Sequence, residues 1–113
     1  MVAVQPRSLK VYTTPDGRAP FLEWLDSLKD LRSRAAIRTR LDRVEAGNLG
    51  DCRSIGEGVR ELRVHFGPGY RVYFGEQENY IVVLLCSGTK RTQGRDIERA
   101  KNYWQDYRSR EDA

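Results

Sequence analysis

The stretch from Val59 to Gly75 reads VRELRVHFGPGYRVYFG and decides the fold. Apolar and polar residues alternate on both sides of its Gly-Pro-Gly centre, and a period of two is typical of strands. The Gly-Pro-Gly segment itself predicts a tight turn. The stretch therefore predicts a β-hairpin with Leu62 and Val72 facing a core, while Arg63 and Arg71 lie side by side on the other, non-core face.

Strand and helix patterns continue outward from this hairpin in both directions. An alternating strand and two helices precede it, and a continuous apolar strand and a last helix follow it. The predicted bounds in chain order are strand 8–14, a helix from about residue 20, helix 30–46, strands 59–66, 70–75 and 80–86, and helix 95–107. The segments between them that predict loops are 48–58 and 87–94. This order indicates an α+β fold with an antiparallel or mixed sheet of about four strands, two N-terminal helices and one C-terminal helix.

Length and composition favour a small folded protein without a membrane span. The 113 residues fit one domain, 1–113, and the apolar residues, 39% of the chain, occur in clear runs. No apolar run approaches the ~18 residues of a membrane helix, and residues 1–10 lack the apolar core of a secretory signal. Cys52 and Cys86 have no zinc-ligand neighbours, so we expect reduced thiols, a buried Cys86, a cytoplasmic location and neither metal nor cofactor.

The positive charge of the chain is concentrated in two segments. The formal net charge is +4, yet residues 29–43 and residues 89–110 each sum to +4 on their own. Such asymmetry favours a polyanion or an acidic protein as the binding partner. Two solvated helix faces explain the same pattern equally well.

A group of basic and titratable residues follows from the alternation of the hairpin strands. Its members are Arg63, Arg71, Lys90, Arg91, His65 and Tyr73. Cations that offset charge on a phosphorane, beside a group that moves a proton, suit phosphodiester cleavage without metal. In RNA the 2′-hydroxyl is a ready nucleophile, so the protein need not supply one. No carboxylate cluster in the sequence indicates a magnesium site.

Each of these residues also has a purely structural interpretation. Arg63 has an acid two positions earlier, Glu61, with which it can pair. A lone histidine on a strand, His65, is more often a surface residue than a catalyst, and Tyr73 is a good strand former. The Lys90-Arg91 pair is also compatible with an ordinary solvated loop.

The same segments resemble toxins of the RelE/ParE superfamily, and in particular the phage-associated addiction module killer branch, which is close to HigB-like toxins. The matching stretches are Glu61–Val64, Gly67–Phe74, Leu84–Gln93, Asp96–Lys101 and the opening Pro20–Leu25. The combination of Tyr-Arg-Val-Tyr-Phe with Thr-Lys-Arg-Thr-Gln makes the resemblance specific, and it extends over nearly the whole chain.

The resemblance implies a microbial-RNase-like fold and the toxin of a type II toxin–antitoxin system. RelE-like members cleave mRNA in the ribosomal A site without metal and leave a cyclic phosphate. By this resemblance Arg71 would hold the scissile phosphate and Arg91 would stabilise the transition state, while Arg63 lies near the position of a catalytic lysine. The implied partners are mRNA on the ribosome and a cognate antitoxin, which we expect to carry a helix-turn-helix domain.

The proton-transfer groups are not assigned by the resemblance. RelE carries a functional tyrosine in its last segment, whereas the comparable stretch here, 96–98, has no aromatic residue. His65, Tyr73 and Lys90 are therefore the candidates, and Asp96 could orient or replace one of them. Two other functions fit the same chain: a ParE-like inhibitor of DNA gyrase without nuclease activity, and a relic of the toxin fold that only binds an antitoxin.

Overall fold

A computed structural model describes residues 5–111 and shows an α+β fold, as the sequence predicts. Within these residues, five strands form one mixed sheet that is packed between three helices. The elements are β1 (Ser8–Val11), α1 (Pro20–Ser27), α2 (Leu31–Glu45), β2 (Cys52–Gly56), β3 (Val59–Val64), β4 (Tyr70–Gln77), β5 (Ile81–Thr89), a 3-10 turn (Lys90–Thr92) and α3 (Gln93–Glu111). None of the helices in this range is long and apolar enough to cross a membrane.

The strand order is β1-β5-β4-β3-β2, with β1 parallel to β5 and every other pair antiparallel. The predicted hairpin is confirmed: β3 and β4 pair with Arg63 opposite Arg71 and Glu61 opposite Tyr73. On its other side β3 pairs with β2, which places Arg53 opposite Glu61 as well. Neighbouring strands lie about 5 Å apart, so this register decides which polar side chains meet.

Both faces of the sheet are covered, and this corrects the prediction of a non-core face. Helices α1 and α2 pack on the face that contains Leu62 and Val72. Helix α3 packs its apolar side, including Ala100 and Trp104, on the opposite face, where Tyr73 is fully buried. The apolar strand β5 lies between the two layers, as its continuous apolar run predicts.

The prediction that residues 48–58 form a loop was wrong, because they contain the edge strand β2. Arg53 and Ser54 are exposed, and the partly buried Cys52 and Ile55 pack against different core clusters, so the segment lacks the apolar alternation of a half-buried strand. The turn into β3 has positive φ at Glu57 (57°) and Gly58 (83°), as in a two-residue hairpin loop.

The prediction that residues 87–94 form a loop was also wrong. Strand β5 continues through Thr89, and α3 already begins at Gln93 after the 3-10 turn. Gly88 permits this close join, because a Cβ atom there would lie 1.8 Å from Oδ2 of Asp96. Asp96 is in the first turn of α3, where a carboxylate interacts favourably with the helix dipole.

Candidate functional site

A fully buried carboxylate, Glu61, lies at the centre of the basic end of the sheet. Three arginines on three strands approach it, and we call them the arginine cluster. The Nε atom of Arg53 lies 3.0 Å from Oε1, that of Arg63 lies 3.5 Å from Oε1, and that of Arg71 lies 3.7 Å from Oε2. Three guanidinium groups around one carboxylate leave a surplus of positive charge at this position.

Two neutral groups complete the surroundings of Glu61. The hydroxyl of Tyr73 donates to Oε2 at 3.0 Å, and Nε2 of Gln93 donates to the same atom at 2.8 Å. Burial alone would raise the pKa of Glu61, but hydrogen bonds from Gln93, Arg53 and Tyr73 outweigh burial and hold this pKa below its ordinary value. Glu61 is therefore ionised at neutral pH, which keeps the cluster ordered.

The strand register explains why the cluster needs Glu61. Arg63 and Arg71 are directly opposite on β3 and β4, and like charges in that arrangement repel. The carboxylate of Glu61, two residues before Arg63 on β3, offsets this repulsion. Arg71 is the most enclosed of the three arginines, with 11% of its side chain exposed, and its buried Nε has no hydrogen-bond partner among the described residues. An anion bound at this edge would find a guanidinium already fixed in position.

The Lys90-Arg91 segment joins the same end of the molecule through its backbone. The amide of Lys90 donates to the carbonyl oxygen of Gly69, at 3.2 Å, in the turn of the hairpin. Thr89 and Thr92 cap the 3-10 turn reciprocally, which fixes its start. The side chains of both Lys90 and Arg91 are exposed, and within residues 5–111 neither forms an ion pair. The turn therefore adds two accessible cations beside the hairpin.

The remaining candidates occupy three different environments. Tyr73 is buried, and burial together with the charge of Glu61 raises the pKa of its hydroxyl. Asp96 is buried as well and accepts hydrogen bonds from Thr92 and, at 3.2 Å, from Nη1 of Arg99. The side chain of His65 is 74% exposed, and its Nε2 lies 2.6 Å from Oδ2 of Asp51. The structure thus brings Arg63, Arg71 and Tyr73 together around Glu61, whereas His65 does not contact this group.

Comparisons with known proteins identify the family of the chain. The profile of a family described as "Phage derived protein Gp49-like" matches residues 23–105. The chain belongs to the Gp49-like family. A relative from Haemophilus influenzae, named only "Uncharacterized protein", is 48% identical over 81 residues, which are 72% of this chain and 82% of the relative. The Gp49-like segment contains Glu61, the arginine cluster and the Lys90-Arg91 turn.

Sequence reasoning missed three residues of this candidate site. Arg53 was missed because its segment predicts a loop, and only the β2–β3 pairing brings it opposite Glu61. Gln93 was missed for the same kind of reason, since it lies at the start of α3 rather than in a loop. A signal for Glu61 does exist in the sequence: it alternates onto the same strand face as Arg63, two residues before it.

Within residues 5–111, His, Cys, Asp and Glu side chains form no group of three or more that could hold a metal ion. Cys86 is buried, as expected, whereas Cys52 is partly exposed, and both are free thiols. The polar groups of the site described above are guanidinium, ammonium, carboxylate, phenol and amide groups.

Proposed function

We propose that this Gp49-like chain is the toxin of a type II toxin–antitoxin pair and cleaves mRNA on the ribosome without a metal ion. The observation that carries the proposal is the convergence of Arg53, Arg63 and Arg71 on the buried carboxylate of Glu61. A fixed surplus of guanidinium groups at a surface edge suits a phosphate of a nucleic acid. The exposed Lys90 and Arg91 extend that positive edge.

In the proposed reaction the substrate supplies its own nucleophile. Arg71 holds the scissile phosphate, and the neighbouring 2′-hydroxyl oxygen attacks phosphorus while its proton passes to a solvent water molecule. The bond from phosphorus to the 5′ oxygen breaks, which leaves a 2′,3′-cyclic phosphate and a 5′-hydroxyl. Arg91 offsets the negative charge that grows on the phosphorane oxygens.

Burial and hydrogen bonding support one assignment of the proton-transfer group in this proposal. Tyr73 is buried and donates to Glu61, so we assign it to positioning the arginine cluster. Asp96 is buried and accepts from Thr92, so we assign it to positioning the Lys90-Arg91 turn. Lys90 is exposed and its backbone amide is bonded to the hairpin turn, whereas His65 is bonded to Asp51, so we assign the protonation of the leaving 5′ oxygen to Lys90.

The positive charge of the arginine cluster also favours an acidic protein partner. A cognate antitoxin would neutralise the toxin by placing an acidic segment over the arginine cluster, where it competes with RNA. We expect that antitoxin to carry a helix-turn-helix domain of its own.

The test is Arg71→Ala, expressed from an inducible promoter in bacteria. We expect loss of growth arrest and of ribosome-dependent mRNA cleavage, because the scissile phosphate loses its fixed cation. The control is Arg38→Ala, which removes an exposed arginine of α2. Helix α2 packs on the face of the sheet opposite to the face that carries Glu61 and Tyr73. Thermal melting of both purified variants verifies that they fold.

Three outcomes separate the competing functions. A folded Arg71→Ala variant that arrests growth as the wild type does would overturn the proposed role of Arg71. Inhibition of gyrase supercoiling by the wild type, with mRNA intact, would favour a gyrase inhibitor. The absence of growth arrest by the wild type would favour a protein that only binds its antitoxin.

A further inference from the structure

A second basic surface lies between α2 and the end of β3, and we call it the α2–β3 groove. It encloses about 310 Å³ and opens to solvent. The lining residues used below are Thr39, Arg40, Arg43, Arg63, His65 and Phe66. Arg63 joins the two surfaces, because its backbone carbonyl accepts a hydrogen bond from Arg40 in the groove while its guanidinium lies in the arginine cluster.

Two of the groove's arginines, Arg40 and Arg43, form no ion pair with a carboxylate among residues 5–111. Arg40 is tied to backbone carbonyls instead: its Nε donates to the oxygen of Arg63 at 3.2 Å, and its Nη2 donates to that of Leu49. Arg43 is exposed and forms no ion pair in that range. The carboxylate at the rim, Asp51, is bonded to His65.

The anchoring of Arg40 shows that the positive charge is built into the groove. Its guanidinium is half-buried, and both this burial and the charge of Arg43 lower its pKa. Arg40 and Arg43 are three residues apart and therefore neighbours on the surface of α2, and two like charges there repel unless backbone oxygens or a bound anion compensate. An anion that lies in the groove would remove this repulsion, so binding is favoured electrostatically.

We propose that the α2–β3 groove binds a nucleotide of single-stranded RNA that lies next to, and outside, the dinucleotide carrying the scissile phosphate. Arg43 contacts its phosphate, Arg40 lends positive charge from its fixed position, and the partly buried ring of Phe66 stacks on its base. A positively charged groove with an aromatic side chain is the usual arrangement for single-stranded nucleic acids. This inference rests on the proposed function, since the shared Arg63 links the groove to the cleavage site.

The test measures the binding of 2′-O-methyl RNA oligonucleotides, which cannot be cleaved because their nucleophile is blocked. A dinucleotide reaches only the arginine cluster, whereas a hexanucleotide also reaches the groove. Arg43→Ala is compared with Arg38→Ala, since both remove an exposed arginine of α2 and Arg38 faces a different surface. Fluorescence anisotropy is followed over a range of salt concentrations.

We expect Arg43→Ala to weaken hexanucleotide binding and to reduce the slope of log affinity against log salt by about 0.7, the value for one lost phosphate contact. Phe66→Leu should weaken hexanucleotide binding by roughly tenfold with no change in this slope. Neither change should affect the dinucleotide, and Arg38→Ala should affect neither ligand.

The outcomes separate this inference from the proposed function. If Arg71→Ala abolishes binding while Arg43→Ala behaves like Arg38→Ala, the groove assignment is overturned and the cleavage site stands. If Arg43→Ala shows the expected loss but the wild type cleaves no mRNA, the groove stands and the ribonuclease proposal fails. If the wild type does not bind the hexanucleotide at low salt, the groove assignment is overturned, while the cleavage proposal is decided separately by the assay of mRNA on the ribosome.

Discussion

Glu61 and Asp96 are both fully buried carboxylates, yet they organise different parts of the molecule. Glu61 collects side chains from β2, β3 and β4, and its partners include long, partly exposed arginines. Asp96 lies against Gly88, and through Thr92 it holds the backbone of the 3-10 turn. Glu61 therefore positions the arginine side chains, and Asp96 positions the 3-10 turn. Substitutions that disturb the two acids should have different effects.

The largest effect should follow from Glu61→Gln. The substitution keeps the shape of the side chain but leaves three arginines around a neutral group. Breaking a buried ion pair in this way costs about 3–5 kcal/mol. We take the lower end, since water reaches Arg53, whose side chain is 52% exposed. Urea denaturation at neutral pH measures the loss.

The pH dependence of stability provides the check on this prediction. The folded-state pKa of Glu61 is lowered, so its stabilisation is present above the unfolded-state pKa and is lost as pH falls towards the folded one. Glu61→Gln should therefore differ most from the wild type at neutral pH and converge with it in acid. A difference that stays constant from neutral pH to acid would show that the charge of Glu61 does not stabilise the fold.

A smaller effect is expected from Gly88→Ala, which tests the role of Asp96. The added Cβ would lie 1.8 Å from Oδ2 of Asp96 and 2.6 Å from Oγ1 of Thr92, so the turn has to move. Overpacking of this kind costs about 1–3 kcal/mol. It should also reduce growth arrest, because Lys90 and Arg91 follow directly in the chain.

A double-mutant cycle with Asp96→Ala isolates the cause of the Gly88→Ala effect. If the contact with the carboxylate is responsible, Gly88→Ala should cost less once Asp96 has been shortened. Equal costs in the two backgrounds would locate the damage in the β4–β5 pairing instead.

The contrast between the two acids also explains what the sequence could predict. The period of two in β3 and β4 was enough to place Arg63 beside Arg71. It could not show that α3 covers the centre of the same face, because the apolar side of α3 fits either face of a sheet. Arg53 was out of reach for a related reason: an exposed edge strand such as β2 has little apolar pattern, and its register comes from pairing.

The smallest effect is expected from His65→Ala, at the rim of the α2–β3 groove. His65 is exposed, is bonded to Asp51 and is not among the partners of Glu61. It is therefore not placed to exchange protons with an RNA whose phosphate is held by Arg71. Growth arrest and the cleavage rate should stay close to those of the wild type. The pH–rate profile is the sharper measurement, because a general acid or base gives the profile one of its limbs. A limb that disappears in His65→Ala but remains in Lys90→Ala would transfer the proton-transfer role from Lys90 to His65, and would move the reacting centre from the buried carboxylate towards the groove.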